Sequence, residues 1–172
     1  MYFCLEKLNN IKSFMKNFTK LLLNLVFLLS VNLGWGQGIF TNPITGINPN
    51  TDNPYTTGQT FNPNITVSGI GRGTGITGVS ANDRYNANAW NVASLDVNKY
   101  FTFTLTPNTG FQINFISFVY TGQASGTGPT NVAVRSSVDG FANDIGSPTI
   151  AGTTIYLSAA AFQGITGAIE FR

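Results

Sequence analysis

The chain has 172 residues, of which 42% are hydrophobic and only 9% charged, whereas an ordinary soluble domain carries about 25% charged residues. Its polar surface must therefore be built from Asn, Thr, Ser and Gly. Histidine is absent and cysteine occurs once, at Cys4, which excludes a disulfide framework and any triad with a His base, and leaves little from which to build a zinc, copper or iron site.

The formal charge of +2 is concentrated at one end, because four of the nine basic residues are Lys7, Lys12, Lys16 and Lys20. From Gln37 onward there are five basic residues (Arg72, Arg84, Lys99, Arg135, Arg172) against six acidic ones (Asp52, Asp83, Asp96, Asp139, Asp144, Glu170), a net charge of −1. No basic cluster exists there to serve nucleic acid or an anionic membrane. The length fits one domain, and 14 Phe with 6 Tyr supply the area for a core.

Lys16 and Lys20 precede an apolar run over residues 21–29 that Asn24 interrupts, and Gly34-Trp35-Gly36 supplies a small-x-small cleavage site. Residues 1–36 read as a cleavable export signal, with Met15 a plausible true start. A membrane anchor is the alternative, but a span needs about 20 apolar residues and this run is shorter. Cys4 lies ahead of the run, out of place for a lipid anchor. The mature domain is then 37–172, without cysteine and with no membrane contact after cleavage.

Residues 37–60 are rich in turn signals, Asn42-Pro43, Thr45-Gly46, Asn48-Pro49-Asn50 and Asn53-Pro54. Phe40, Ile44, Ile47 and Tyr55 punctuate them and predict packing on a core. Residues 65–70 alternate as a strand. Residues 71–78 are glycine-rich and read as a loop, and 84–90 as an extended segment. The strongest strand is Tyr100-Phe101-Thr102-Phe103-Thr104-Leu105-Thr106, with Phe101, Phe103 and Leu105 on one face and threonines on the other. In residues 111–120 the apolar phase slips between Phe115 and Ile116, the mark of a bulge or of a strand passing between two environments. Val132, Val134, Ser136 and Val138 alternate in a further strand. Ile150, Ile155 and Leu157 mark the next, residues 158–162 a helical turn, and residues 165–172 a last strand. Strands at this spacing, without an amphipathic helix, predict an all-β fold, an antiparallel β-sandwich of jelly-roll type.

Several of these stretches together resemble one recurring module. They are Thr41-Asn42-Pro43-Ile44-Thr45-Gly46, Asn53-Pro54-Tyr55-Thr56-Thr57-Gly58-Gln59, Val67-Ser68-Gly69-Ile70-Gly71-Arg72-Gly73, Asn82-Asp83-Arg84-Tyr85-Asn86, Ala89-Trp90 and Arg135-Ser136-Ser137-Val138-Asp139-Gly140-Phe141. The module is the N-terminal β-rich domain of large secreted proteins of bacteria that use the type IX secretion system. The resemblance covers about Gly38 to Arg172. It implies an extracellular or cell-surface location, or a periplasmic one if no sorting domain follows. It transfers no functional residue. It also implies that the strand at 169–172 continues and that at least one more follows, so the domain is expected to be a C-terminal truncation missing its last strand or strands, with an open sheet edge.

Three candidate sites stand out. Gly73-x-Gly75-x-x-Gly78 matches the dinucleotide fingerprint as a string, but the motif needs a strand before it and a helix after it, and residues 79–84 carry no amphipathic pattern. A tight loop is the expected reading, and no cofactor is expected. Asp139, Asn143 and Asp144 gather oxygen ligands of the kind calcium takes; a hairpin turn on Asp139-Gly140 is the competing reading. Arg84, Tyr85 and Trp90 could line a glycan groove, with Trp90 sharing the parity of Asn86 and Asn88 in an extended segment. The competing reading has Trp90 capping the core and Arg84 paired with a carboxylate. Glycoside hydrolysis needs two carboxylates flanking one bond. Only Glu170 lies in an apolar run, and it reads as a strand surface group placed to pair with Arg135. The expected function is that of a non-catalytic accessory or interaction module on an exported protein. A carbohydrate-binding module that takes a polysaccharide is the alternative, and a hydrolase domain the least favoured.

Overall fold

A computed structural model describes residues 15–18, 37–90, 92 and 94–172. The chain divides into two compact units, Met1–Gln37 and Gly38–Arg172. In the first, residues 15–18 form one helical turn; the remainder of the expected export signal lies outside the described residues. Among the described residues no helix is long and apolar enough to cross a membrane.

The second unit is all-β. Its strands are β1 (Phe40–Thr41), β2 (Thr60–Phe61), β3 (Ile65–Val67), β4 (Gly71–Arg72), β5 (Thr77–Gly78), β6 (Ala87–Asn88), β7 (Phe101–Pro107), β8 (Ser117–Thr121), β9 (Gly152–Tyr156) and β10 (Ile169–Phe171). All pairings are antiparallel: β1 with β2, β5 with β6, β8 with β9, and β7 between β10 on one side and β3 and β4 on the other.

β7 is the longest strand because its period-2 pattern runs unbroken for seven residues. Leu105 pairs with Ile169 and Val67, and Phe103 with Phe171, so these apolar side chains stack on one face. Thr104 and Thr106, with Glu170 and Thr66 opposite them, take the other. The core gathers behind the apolar face around Phe171, which is 2% exposed. Its ring meets those of Phe103 at 5.3 Å, Phe115 and Phe118 at 5.7 Å and Phe162 at 6.3 Å. Such offset and edge contacts add to the area term.

The phase slip after Phe115 marks a change of partners. Ile113 and Phe115 are buried, and bond through their backbones to Ile165 and Phe162. From Ser117 the chain pairs with β9 instead, and Phe118 and Tyr120 turn inward while Ile116 stays 56% exposed. The predicted helical turn is a 3-10 turn over Ala160–Phe162.

The stretch 132–138 is not a regular strand. Arg135 exchanges both backbone bonds with Arg172, and Ser136 bridges Phe171. The chain then leaves in a 3-10 turn over Ser137–Asp139, closed by a left-handed Gly140. The Ser137 hydroxyl accepts from Glu170 N, so the outer edge of β10 is covered over these residues rather than open. The glycine-rich stretch 71–78 is not simply a loop either, since it contributes β4 and β5.

Candidate functional site

The best-organised polar site is built around Arg72, which sequence reasoning did not single out. Its guanidinium donates from Nε to Asn86 O, from Nη1 to Asn50 O and Asp52 O, and from Nη2 to Pro49 O. Its Cζ lies 3.6 Å from the centre of the Tyr85 ring, a cation–π contact. Asn53 completes the tie, its Oδ1 accepting from Arg72 N and its Nδ2 donating to Arg72 O. One cation thus gathers four backbone carbonyls from two loops that have little secondary structure of their own. Burial pushes Arg72 below the ordinary guanidinium value, against the opposing pull of Tyr85 and Asp52. Burial also raises the Tyr85 pKa, opposed by Arg72 and reinforced by Asp52.

The glycines beside Arg72 serve this arrangement. A side chain on Gly78 would strike Asn50 O and the Arg72 guanidinium, and one on Gly73 would strike Asn98 O and the Tyr100 ring. The glycine spacing that mimics a nucleotide fingerprint is therefore explained by close backbone approach. Residues 79–86 that follow it form turns and bends, with no helix to receive a phosphate.

Tyr85 and Trp90 are brought together, and Arg84 is not. The Tyr85 hydroxyl donates to Asp52 O at 2.9 Å and also lies 3.2 Å from Asn53 Oδ1. Its ring meets Phe101 at 5.5 Å, and Phe101 meets Trp90 edge-on at 5.1 Å. The result is a row of three rings in contact, Tyr85–Phe101–Trp90. Trp90 is half-buried and donates from Nε1 to Ala87 O. The parity expected for an extended Asn86–Asn88–Trp90 face fails because Ala89 is left-handed, at φ 66°. That turn swings Trp90 onto Phe101. Arg84 points elsewhere, donating to Gln123 Oε1 and Asn82 O, and among the described residues it pairs with no carboxylate.

The chain beyond the ring row is apolar and open. Val92, Leu95 and Val97 are 46%, 56% and 68% exposed, and Phe101 is 36% exposed. Two charged residues lie among them in sequence, Lys99 and Asp96, and the Asp96 Oδ1 accepts from Asn98 N.

The Asp139 loop forms a turn. The Asp139 carboxylate accepts from Ala142 N, Asn143 N and Asn143 Nδ2, and these bonds, led by that from the Asn143 side chain, hold its carboxyl below the usual carboxylate range. Asn143 thus presents a donor to Asp139, while Asp144 pairs with Arg135 at 2.6 Å. Asn143 turns its donor to Asp139 and Asp144 turns its carboxylate to Arg135, so the three do not present their oxygens to one ion, and among the described residues no group of three or more His, Cys, Asp or Glu gathers. Glu170 pairs with Arg172 at 2.7 Å rather than with Arg135. The Arg172 guanidinium is flanked by the Phe141 and Tyr100 rings at 3.8 and 4.2 Å.

Compared with protein-family models, with curated proteins and with solved structures, the chain finds no match.

Proposed function

We infer that this chain is an exported, non-catalytic interaction module, and that its recognition surface is the ring row Tyr85–Phe101–Trp90 with the apolar segment beside it. One observation carries the reading. An exposed apolar stretch, Val92, Leu95 and Val97, lies in sequence between Trp90 and Phe101, two rings of a row that the Arg72 tie fixes at Tyr85. Exposed apolar groups gathered beside a rigid aromatic support favour recognition of another molecule. Export rests on the charged and apolar pattern of residues 16–36, and the likeness to modules of type IX secreted proteins points the same way.

A polysaccharide is the second reading. Trp90 and Phe101 form a ring pair, with Phe101 36% exposed and Trp90 half-buried, and aromatic rings suit the faces of sugar rings. Arg72, the cation beneath, already gives its donors to carbonyls.

The test is binding to a glycan array and to a panel of purified extracellular-matrix proteins, wild type beside Trp90→Ala and Phe101→Ala. A ligand lost in both variants, with unfolding midpoints that show them folded, supports the surface; a glycan as that ligand selects the second reading. Ligands bound equally by wild type and both variants would remove this surface from the account.

A further inference from the structure

We propose that the outer edge of β8 pairs with itself, joining two copies of this chain by two-fold antiparallel strand addition. The β8–β9 ladder shows which groups are free. Leu157 N donates to Ile116 O and Gly122 N to Ala151 O. With Ser117 opposite Tyr156 and Thr121 opposite Gly152, these bonds make 117/156, 119/154 and 121/152 the pairs that exchange no bond directly. The N–H and C=O groups of Ser117, Val119 and Thr121 therefore point away from β9. None of them has a hydrogen-bond partner among the described residues. The β9 edge is shorter, because Gly152, one of its outward residues, is already bonded: its N–H donates to Thr149 O and its C=O accepts from the Thr149 hydroxyl.

The β8 edge carries none of the devices that keep edges apart. Ser117-Phe118-Val119-Tyr120-Thr121 contains no charge, no proline and no glycine. Val119 is 71% exposed, and Ser117 and Thr121 are exposed as well.

The occupant is a second copy because the free groups are symmetric about Val119. A two-fold axis there places Val119 opposite Val119, Ser117 opposite Thr121 and Phe118 opposite Tyr120 of the other copy. Every outward donor then meets an outward acceptor. The pairs that result are apolar with apolar, hydroxyl with hydroxyl and ring with ring, all combinations that stabilise neighbouring strands. The neutral strand sets no like charges against each other across the axis. Tyr120 is already held in place, its hydroxyl donating to Thr149 O and accepting from Thr149 N. The Arg84–Gln123 contact lies two residues beyond Thr121, the last paired residue of β8.

Sedimentation of the full chain, as its host processes it, tests the proposal across concentration up to about 1 mM, the weak end of useful affinity. Wild type is expected to dimerise as concentration rises. Val119→Pro removes an outward N–H that β9 does not use, and Val119→Lys sets two cations face to face; each is expected to weaken dimerisation at least tenfold. Thr154→Lys, on the opposite edge, is expected to leave it unchanged. In case the Pro or Lys variants fold poorly, Val119→Cys gives an independent readout. Across the axis its Cα atoms would lie about 5.5 Å apart, within disulfide range, so mild oxidation should link the dimer. Tyr156→Cys, exposed but off the axis, should link far less. A wild type that stays monomeric throughout overturns the proposal. So does a dimer untouched by both folded Val119 variants, or Val119→Cys linking no better than Tyr156→Cys.

Discussion

The sheet around β7 and the loops around Arg72 belong to the same compact unit, yet different forces hold them. Around β7 the chain alternates, and pairing puts Phe103, Leu105, Ile169 and Phe171 behind one face. There the hydrophobic term dominates, and the ladders satisfy the backbone as a consequence. Around Arg72 the strands are two residues long. The backbone groups left over by such short strands need other partners, and side chains supply them: Arg72 for four carbonyls, Asn53 for both groups of Arg72, Asn48 for Ala81 N, Asp83 for Gly46 N. A chain with few charged residues concentrates one of them where the secondary structure is thinnest.

The largest effects should come from the sheet. Phe171→Ala removes a ring that four others contact and that has no room to be replaced by water. Its cost is about 3–5 kcal/mol, measured as a fall in the denaturant midpoint. A loss below about 1 kcal/mol would mean that the ring cluster is not the centre of the core.

Next is the Arg72 tie. Arg72→Ala leaves the carbonyls of Pro49, Asn50, Asp52 and Asn86 without their donor, at about 2–3 kcal/mol. Arg72→Lys should recover less than half of that, because an ammonium cannot fork towards carbonyls of both loops. Equal stability of the Lys variant and wild type would show that charge, not geometry, holds the loops. Hydrogen exchange should separate the two regions further. Arg72→Ala should speed exchange in residues 46–56 and 80–88 and leave β7 and β10 protected.

Tyr85→Phe is a gentler probe, since only the hydroxyl bonds to Asp52 and Asn53 are lost, at about 1 kcal/mol. The wild-type residue also predicts an alkaline signature. Burial raises the folded-state pKa of Tyr85 above the unfolded value of about 10. Above that pH the folded chain keeps a proton that the unfolded chain has lost, so stability falls as pH rises through the window. That part of the alkaline loss should be missing from Tyr85→Phe in melts taken between about pH 9 and 11.

The sheet was the legible half in sequence. β7 and the slip after Phe115 follow from apolar spacing alone, because burial on one face of a strand writes period 2 into the residues. Where spacing misleads, a local backbone event is responsible. Ala89 in a left-handed conformation undoes the parity of Trp90, and the Ser137–Asp139 turn cuts short the alternation that begins at Val132. The Arg72 tie was hidden for another reason. Its acceptors are backbone carbonyls, which every residue has, and those of residues 49–52 lie 20 or more positions away. The only trace was Gly71-Arg72-Gly73, a long cation set between residues without side chains. Glu170 and Arg135 were both recognised as charged partners, but each bonds to a nearer neighbour, Arg172 and Asp144.

The Asp139 turn offers the smallest effect and sharpens the comparison, because it uses the same device as the Arg72 loops in full exposure. Donors from Asn143 and Ala142 hold its carboxyl below the usual range. Between the folded and unfolded values the folded chain binds fewer protons, so stability rises with pH there. The contribution is complete above the unfolded value of about 3.9 and is lost as pH falls through the folded one. Asp139→Asn should therefore melt slightly below wild type near neutrality and together with it in strong acid. Water competes for these exposed bonds more than for the partly buried ones of Arg72, so the shift should be smaller than that of Arg72→Ala. Calcium can be read in the same melts. A turn stabilised only by its own donors gives equal melting temperatures with millimolar calcium and with chelator. A rise with calcium that disappears in Asp139→Asn would instead mean that Asp139, Asn143 and Asp144 rearrange around the ion, with Asp144 leaving Arg135 to do so.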